Sequence, residues 1–196
     1  MSASAYSRQL EIETELWRRQ ARRDLCSWSI EAQSASGRKP AKHHRLLIGE
    51  LEGVASGRTP RLMVFMPPGS AKSTYCSRLF PPWWFATHPN SSIIGASHTS
   101  TLAESISGHV QRLIRANSET LGYELATENR SLWETTNGCS YLAAVPALLA
   151  LEPTSLWWTI LFVRGRTRIP RVFATVFGSG GTPICCLDCG PTRGSC

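Results

Sequence analysis

The chain has 196 residues, with Lys+Arg 21 against Asp+Glu 14 and a formal net charge of +7. With 42% hydrophobic and 18% charged residues, it can bury a core, which excludes wholesale disorder, and its length allows one full domain, or one with a small appendage. No apolar run of about 18 residues excludes a membrane-spanning helix, and the basic balance favours anionic partners such as nucleic acid or nucleotide phosphates. The opening Met1–Glu11 has no apolar stretch and is expected not to be a secretory signal. The seven cysteines are odd in number and clustered, unlike a secreted disulfide framework.

In chain order, residues 5–27 are predicted as one amphipathic helix, with Leu10, Ile12, Leu16, Trp17 and Leu25 between charges. Ser34 to Lys42 is a Gly/Pro/Ser-rich loop. His43 to Ala55 is a second helix, with Leu46, Leu47, Leu51 and Val54 on its inner face and Gly57 as its stop. Arg61 to Met66 is an apolar run predicted as a buried strand, closed by Pro67-Pro68-Gly69. Lys72 to Leu79 is a helix stopped by Pro81-Pro82. Ser92 to Ser97 is a second buried strand, and Ser100 to Arg115 a helix with Leu102, Ile106, Val110, Leu113 and Ile114 inward. Strand, helix, strand, helix predicts an α/β fold with a parallel sheet and right-handed crossovers. Trp133-Glu-Thr-Thr and Ser140 to Ala144 flank Asn137-Gly138, a hairpin signal.

The most informative stretch is Met66-Pro-Pro-Gly-Ser-Ala-Lys-Ser-Thr74. It follows a predicted strand and opens a predicted helix, where free amides and the helix dipole favour phosphate. Measured against G-x-x-x-x-G-K-[ST], Met66 stands at the first glycine and Ala71 at the second. Only Gly69 gives easy backbone freedom within the loop. In this reading Pro68, Gly69, Ser70, Ala71, Lys72, Ser73 and Thr74 bind ATP. Lys72 reaches the terminal phosphates, and Ser73 ligates Mg²⁺ with Thr74 beside it.

Lys42-His-His-Arg-Leu-Leu, the loop with its preceding strand, and Ser92-Ile-Ile-Gly-Ala-Ser-His-Thr99 together resemble the ATPase domain of bacteriophage terminase large subunits. The resemblance covers about residues 15–144 and includes Trp133-Glu-Thr. It implies an incomplete P-loop NTPase core at 43–144, with 1–42 as an N-terminal helix and loop. It also implies ATP-driven packaging of double-stranded DNA into procapsids, with a terminase small subunit and a portal as partners, in the host-cell cytoplasm. The stretch around His43 and His44 lies where the family meets the nucleotide base. His98 follows the second strand and reads as a structural histidine. Two further classes fit the residues alone: another phosphate-loop enzyme such as a small kinase, and a basic DNA-binding module without catalysis.

The family pattern also requires an acidic pair after a Val/Ile-rich strand, to hold Mg²⁺ and activate water. Beyond Glu134 the chain has only Glu152 and Asp188. Residues 145–196 hold four of the seven cysteines, an alternating Arg164, Arg166, Arg168 and Arg171, and no clear period. They read as an irregular tail, in which Cys185, Cys186, Cys189 and Cys196 are too unevenly spaced for a zinc site. The genetic code offers a cause. Trp157-Trp158-Thr159 must be encoded TGG TGG ACn, and one base earlier the same bases force Val-Asp and permit Val-Val-Asp-Asp-Pro. The tail is therefore read as out-of-frame translation from about residue 145, and the chain as lacking both the acidic pair and the nuclease domain. Sequencing codons 140–185 tests this: the shifted frame should encode an apolar strand ending in two acidic residues, and a shifted frame without them removes the explanation.

Overall fold

The computed structural model describes residues 3–145 and, for the course of the backbone, 157–164 and 171–177. Where one N-terminal helix was expected there are two, α1 (Ala3–Arg23) and α2 (Leu25–Glu31). The break is Asp24, which has extended backbone and whose carboxylate accepts from the amides of Cys26 and Ser27. A carboxylate that satisfies the first amides of a new helix ends the old one. Burial works to raise the Asp24 pKa, but these bonds and one from the Ser27 hydroxyl outweigh it and hold the group below its ordinary value.

A short 3₁₀ turn (Ser34–Ser36) and left-handed Gly37 lead to α3 (Lys42–Ser56), which Gly57 ends in a left-handed conformation as expected. Leu47, Leu51 and Val54 are buried, but Leu46, expected inward, is 75% exposed. It lies one residue outside the stripe that faces the core.

Strand β1 (Arg61–Phe65) follows. The expectation of a fully buried strand is corrected: of its apolar residues only Val64 is buried, while Met63 and Phe65 are exposed. β1 lies at one edge of the sheet, and the helices cover one face of it.

The helix that opens at Lys72 does not stop at the proline pair. It passes through a π-helical segment (Thr74–Leu79) directly into α4 (Phe80–Thr87), which holds Pro81 and Pro82 in its first turn. Proline is disfavoured inside a running helix, and here the wider i→i−5 bonding of the π-helical segment leads into it, the Phe80 amide donating to Tyr75 O. Carbonyls in this stretch are taken up from outside: the Trp28 indole donates to Leu79 O at 2.8 Å and the Tyr123 hydroxyl to Pro82 O at 2.7 Å.

β2 (Ser92–Ser97), α5 (Ser100–Ala116), a single turn α6 (Ser118–Leu121), β3 (Leu132–Glu134) and β4 (Ser140–Ala144) complete the well-packed part. β2 and β4 are parallel with α5 packed on both, while β3 and β4 form the expected antiparallel hairpin around left-handed Gly138. Asn137 in that turn donates from its side chain to Phe85 O at 2.8 Å, tying the hairpin to the end of α4.

β5 (Trp157–Arg164) and β6 (Arg171–Phe177) lie in the segment read as irregular. They pair antiparallel with each other, β5 antiparallel with β2 and β6 parallel with β1. The strand order is β1-β6-β5-β2-β4-β3, so the sheet is mixed rather than parallel. The α/β class with flanking helices stands. The cysteines from Cys185 onward and Glu152 lie outside the described residues, as do Arg166 and Arg168.

The core is aromatic: Trp28, Phe80, Trp84, Phe85, Trp133 and Tyr141 are fully buried. Trp133 stacks on Tyr141 with ring centroids 5.0 Å apart and gives its indole hydrogen to the Ser107 hydroxyl at 2.8 Å. The Tyr141 hydroxyl lies beside Gly95, where an added Cβ would come within 2.0 Å of it. That hydroxyl is buried without a hydrogen-bond partner among the described residues, and burial raises its pKa well above the ordinary phenol value. An unpaired buried hydroxyl costs about 1–3 kcal/mol. Tyr141→Phe should therefore be neutral or stabilising by up to about 1 kcal/mol. Gly95→Ala should cost about 1–3 kcal/mol by overpacking, less in the double variant. Urea unfolding of the four proteins measures this, and a large loss in Tyr141→Phe would show that the hydroxyl is paired.

Candidate phosphate-binding loop

The loop joins the end of β1 to the helix opening at Lys72. Its tip, Pro67-Pro68-Gly69, is exposed. Ser70 folds the loop back: its amide and its hydroxyl both donate to Pro67 O, at 3.3 and 2.7 Å. The first amides bonded into the helix are those of Thr74 and Tyr75, at 2.9 and 3.2 Å, and both go to Ala71 O.

Two residues of the loop are left-handed, Gly69 with φ 80° and Ala71 with φ 56°. Glycine adopts this conformation freely, but for an alanine it costs about 1–2 kcal/mol. Ala71 is the position where the sequence pattern expects its second glycine. The loop thus keeps the backbone shape of a glycine at that point although the side chain disfavours it. Among the described residues the amides of Gly69 and Ala71 meet no carbonyl or side-chain acceptor. Amides directed out of consecutive turn residues at a helix start make an anion-binding concavity.

Lys72, on the first turn, is only 3% exposed. Its ammonium reaches back across the loop to Met66 O at 2.5 Å. Burial lowers its pKa, with Cys76 nearby acting in the opposite direction. Ser73 and Thr74 follow, both half-buried. All of the sequence-predicted residues from Pro68 to Thr74 are therefore gathered on one turn, between the exposed tip and the start of the helix.

One neighbour was placed near the nucleotide base only by resemblance, without a contact. His44, in the first turn of α3, comes within 3.1 Å of Ser70 O through Nε2, and its ring lies 4.6 Å from that of Tyr75. Its other nitrogen, Nδ1, accepts from the Ala41 amide at 3.2 Å. Burial and, second, the adjacent His43 lower its pKa. The capping role was readable from position, three residues past Ala41. The loop contact joins residues 26 apart and leaves no local pattern.

Ser97 ends β2 and His98 follows it, at the same end of the strands as the loop, because β1 and β2 point the same way. Through the registers of β6 and β5, His98 falls in the cross-strand row of Phe65. Three strand spacings separate them, roughly 14 Å, so His98 shares that end without joining the loop. A cleft of about 470 Å³ lined by Arg23, Asp24, Glu52, Trp83 and His88, among others, shares no residue with the loop.

The strain at Ala71 gives a direct test. At an ordinary helical φ, Ala→Gly costs about 1 kcal/mol. At φ 56°, relief of strain offsets that cost, so Ala71→Gly should be neutral or stabilising by up to about 1 kcal/mol. A loss of a full kcal/mol in denaturant unfolding would place Ala71 in the ordinary helical region.

No helix of the described residues is long and apolar enough to cross a membrane. No family model and no curated protein matches the chain.

Proposed function

We propose that the chain is a nucleotide-binding part of a DNA-packaging ATPase of the terminase large-subunit type. The observation that carries the reading is the left-handed Ala71 between an exposed, left-handed Gly69 and a helix start that bears Lys72. This backbone shape is useful for presenting amides to an anion, and it is kept at a cost to the alanine.

The loop amides of Gly69 and Ala71 would line the phosphate chain of ATP, with Ser70 holding the turn between them through its bonds to Pro67 O. Lys72, released from Met66 O, would place its ammonium against the terminal phosphates. The exchange is favourable because a phosphate oxygen is a stronger acceptor than a neutral carbonyl. The hydroxyl of Ser73 fits the hard, oxygen-seeking Mg²⁺, with Thr74 beside it. Mg²⁺ held there would supply positive charge to offset that of the phosphates. Hydrolysis further needs a carboxylate to hold the metal's water and another to orient the attacking water. The chain's only acidic residues beyond Glu134 are Glu152 and Asp188, and the reading assigns it binding without turnover. Double-stranded DNA as the cargo, and a small subunit and portal as partners, rest on the resemblance and on the net charge of +7.

Titration of the full chain with a fluorescent, slowly hydrolysed ATP analogue and Mg²⁺ tests the reading. Binding should be saturable, and Lys72→Ala should weaken it at least tenfold, about 1.4 kcal/mol, with the thermal midpoint followed in parallel. Undiminished binding in Lys72→Ala removes the phosphate-loop reading. Turnover lost in that variant would instead indicate a complete phosphotransfer enzyme, and salt-sensitive DNA binding indifferent to Lys72 a basic DNA-binding module.

A further inference from the structure

The peptide that joins Ser70 to Ala71 is trans, as are all described peptide bonds. In a planar trans peptide the carbonyl oxygen and the amide hydrogen point in opposite directions. Whatever grips the Ser70 carbonyl therefore also aims the Ala71 amide. The group within reach of that carbonyl is His44 Nε2, at 3.1 Å.

The protonation state follows from the two partners. Ser70 O can only accept, so Nε2 carries the hydrogen. The Ala41 amide can only donate, so Nδ1 carries the lone pair. Both bonds are satisfied by one neutral tautomer and by no other form of the ring. The His44 ring lies against that of His43, with centroids 3.9 Å apart, and that of Tyr75, at 4.6 Å. The side chain thus bridges the start of α3 to the middle of the loop.

We propose that His44 is a positioning residue of the phosphate loop, which sets the direction of the Ala71 amide by holding the opposite end of the same peptide plane. The inference rests on the nucleotide reading only for what that amide meets. It also accounts for the alanine in a left-handed conformation: a bond from outside the loop opposes the relaxation of φ at Ala71.

Two substitutions separate the two bonds of the ring. His44→Asn keeps a carbonyl near the position of Nδ1 to cap Ala41, but is one atom too short to reach Ser70. His44→Gln extends its amide to the position of Nε2 and restores the donor. In the full chain, His44→Asn should weaken the Mg²⁺–ATP analogue about fivefold, the worth of one well-placed hydrogen bond. It should also lower the NMR order parameter of the Ala71 amide from the rigid range, about 0.85, towards about 0.6. His44→Gln should stay within about twofold of the parent in affinity and keep Ala71 rigid.

The proposal is overturned if His44→Asn leaves Ala71 as rigid as in the parent, or if His44→Gln loses as much as His44→Asn. The second result would mean that the ring's bulk, not its donor, holds the loop. Lys72→Ala, measured alongside, tests the nucleotide reading separately. If the parent binds no analogue, or binds it regardless of Lys72, that reading falls, and the order parameter of Ala71 alone decides the role of His44.

Discussion

The turn at residues 66–75 depends on one constraint: a helix must begin immediately after a strand while the chain between them keeps its amides outward. Closing such a turn needs φ > 0 at two points, and the chain has a glycine for only one of them. The second is imposed on Ala71, and the bonds around it indicate how. Lys72 draws the start of the helix onto Met66 O, Ser70 folds onto Pro67 O, and His44 holds Ser70 O. Each of these bonds is worth about 1 kcal/mol, and together they exceed the strain of about 1–2 kcal/mol at one left-handed alanine. The shape of the loop is therefore set by its partners more than by its own glycine content.

The same economy governs the helix behind the loop. A helix containing Pro81-Pro82 would ordinarily break. Here the widened π-helical turn ahead of the prolines shifts the hydrogen-bond ladder, and Trp28 and Tyr123 take up carbonyls in that stretch. Both donors belong to buried aromatics, whose polar tips usually find a partner where their rings are packed. The core thus pins the helix that carries Lys72, and the helix in turn positions the loop. A change in the aromatic cluster would reach the loop through this connection without touching it.

What the sequence disclosed follows from how local each cause is. The turn between β1 and the helix at Lys72, the strands on either side of α5, the Asn137-Gly138 hairpin and the Gly57 stop are written in contiguous residues, and they were legible. The break at Asp24 was available as an N-cap signal, but the apolar period running through it to Leu25 outweighed a single acidic residue. The proline pair read as a stop because the outside donors that support those turns lie far away in sequence. Leu46 belonged to the same apolar pattern as Leu47, and only the direction of the core distinguishes them. The His44–Ser70 contact had no signal at all, since it depends on how α3 packs against the loop. The burial expected of β1 failed for a related reason. An apolar run states that a strand can be covered on both faces, not that the rest of the chain supplies the cover, and Met63, Phe65, Ile94, Leu132 and Leu142 remain exposed.

β1 and β2 point the same way but are not neighbours. The space between them is filled by β5 and β6, an antiparallel pair, where a parallel arrangement was expected. Strand edges present unpaired amides and carbonyls that any extended segment can satisfy, whatever its side chains. Trp157–Arg164 and Arg171–Phe177 are rich in Val, Ile, Thr, Phe and Trp, the residue types that suit a pleated ribbon. Such a ribbon meets the hydrogen-bonding demand of β1 and β2 without supplying an acidic group beside the loop, for neither strand contains Asp or Glu. Backbone pairing is indifferent to reading frame, because it needs only extended, apolar chain. Catalysis is not, because it needs particular carboxylates at one end of one strand. In the proposed reading, a grip on phosphate would rest on the contiguous residues 66–74 and catalysis on carboxylates elsewhere in the chain, so the first could persist without the second.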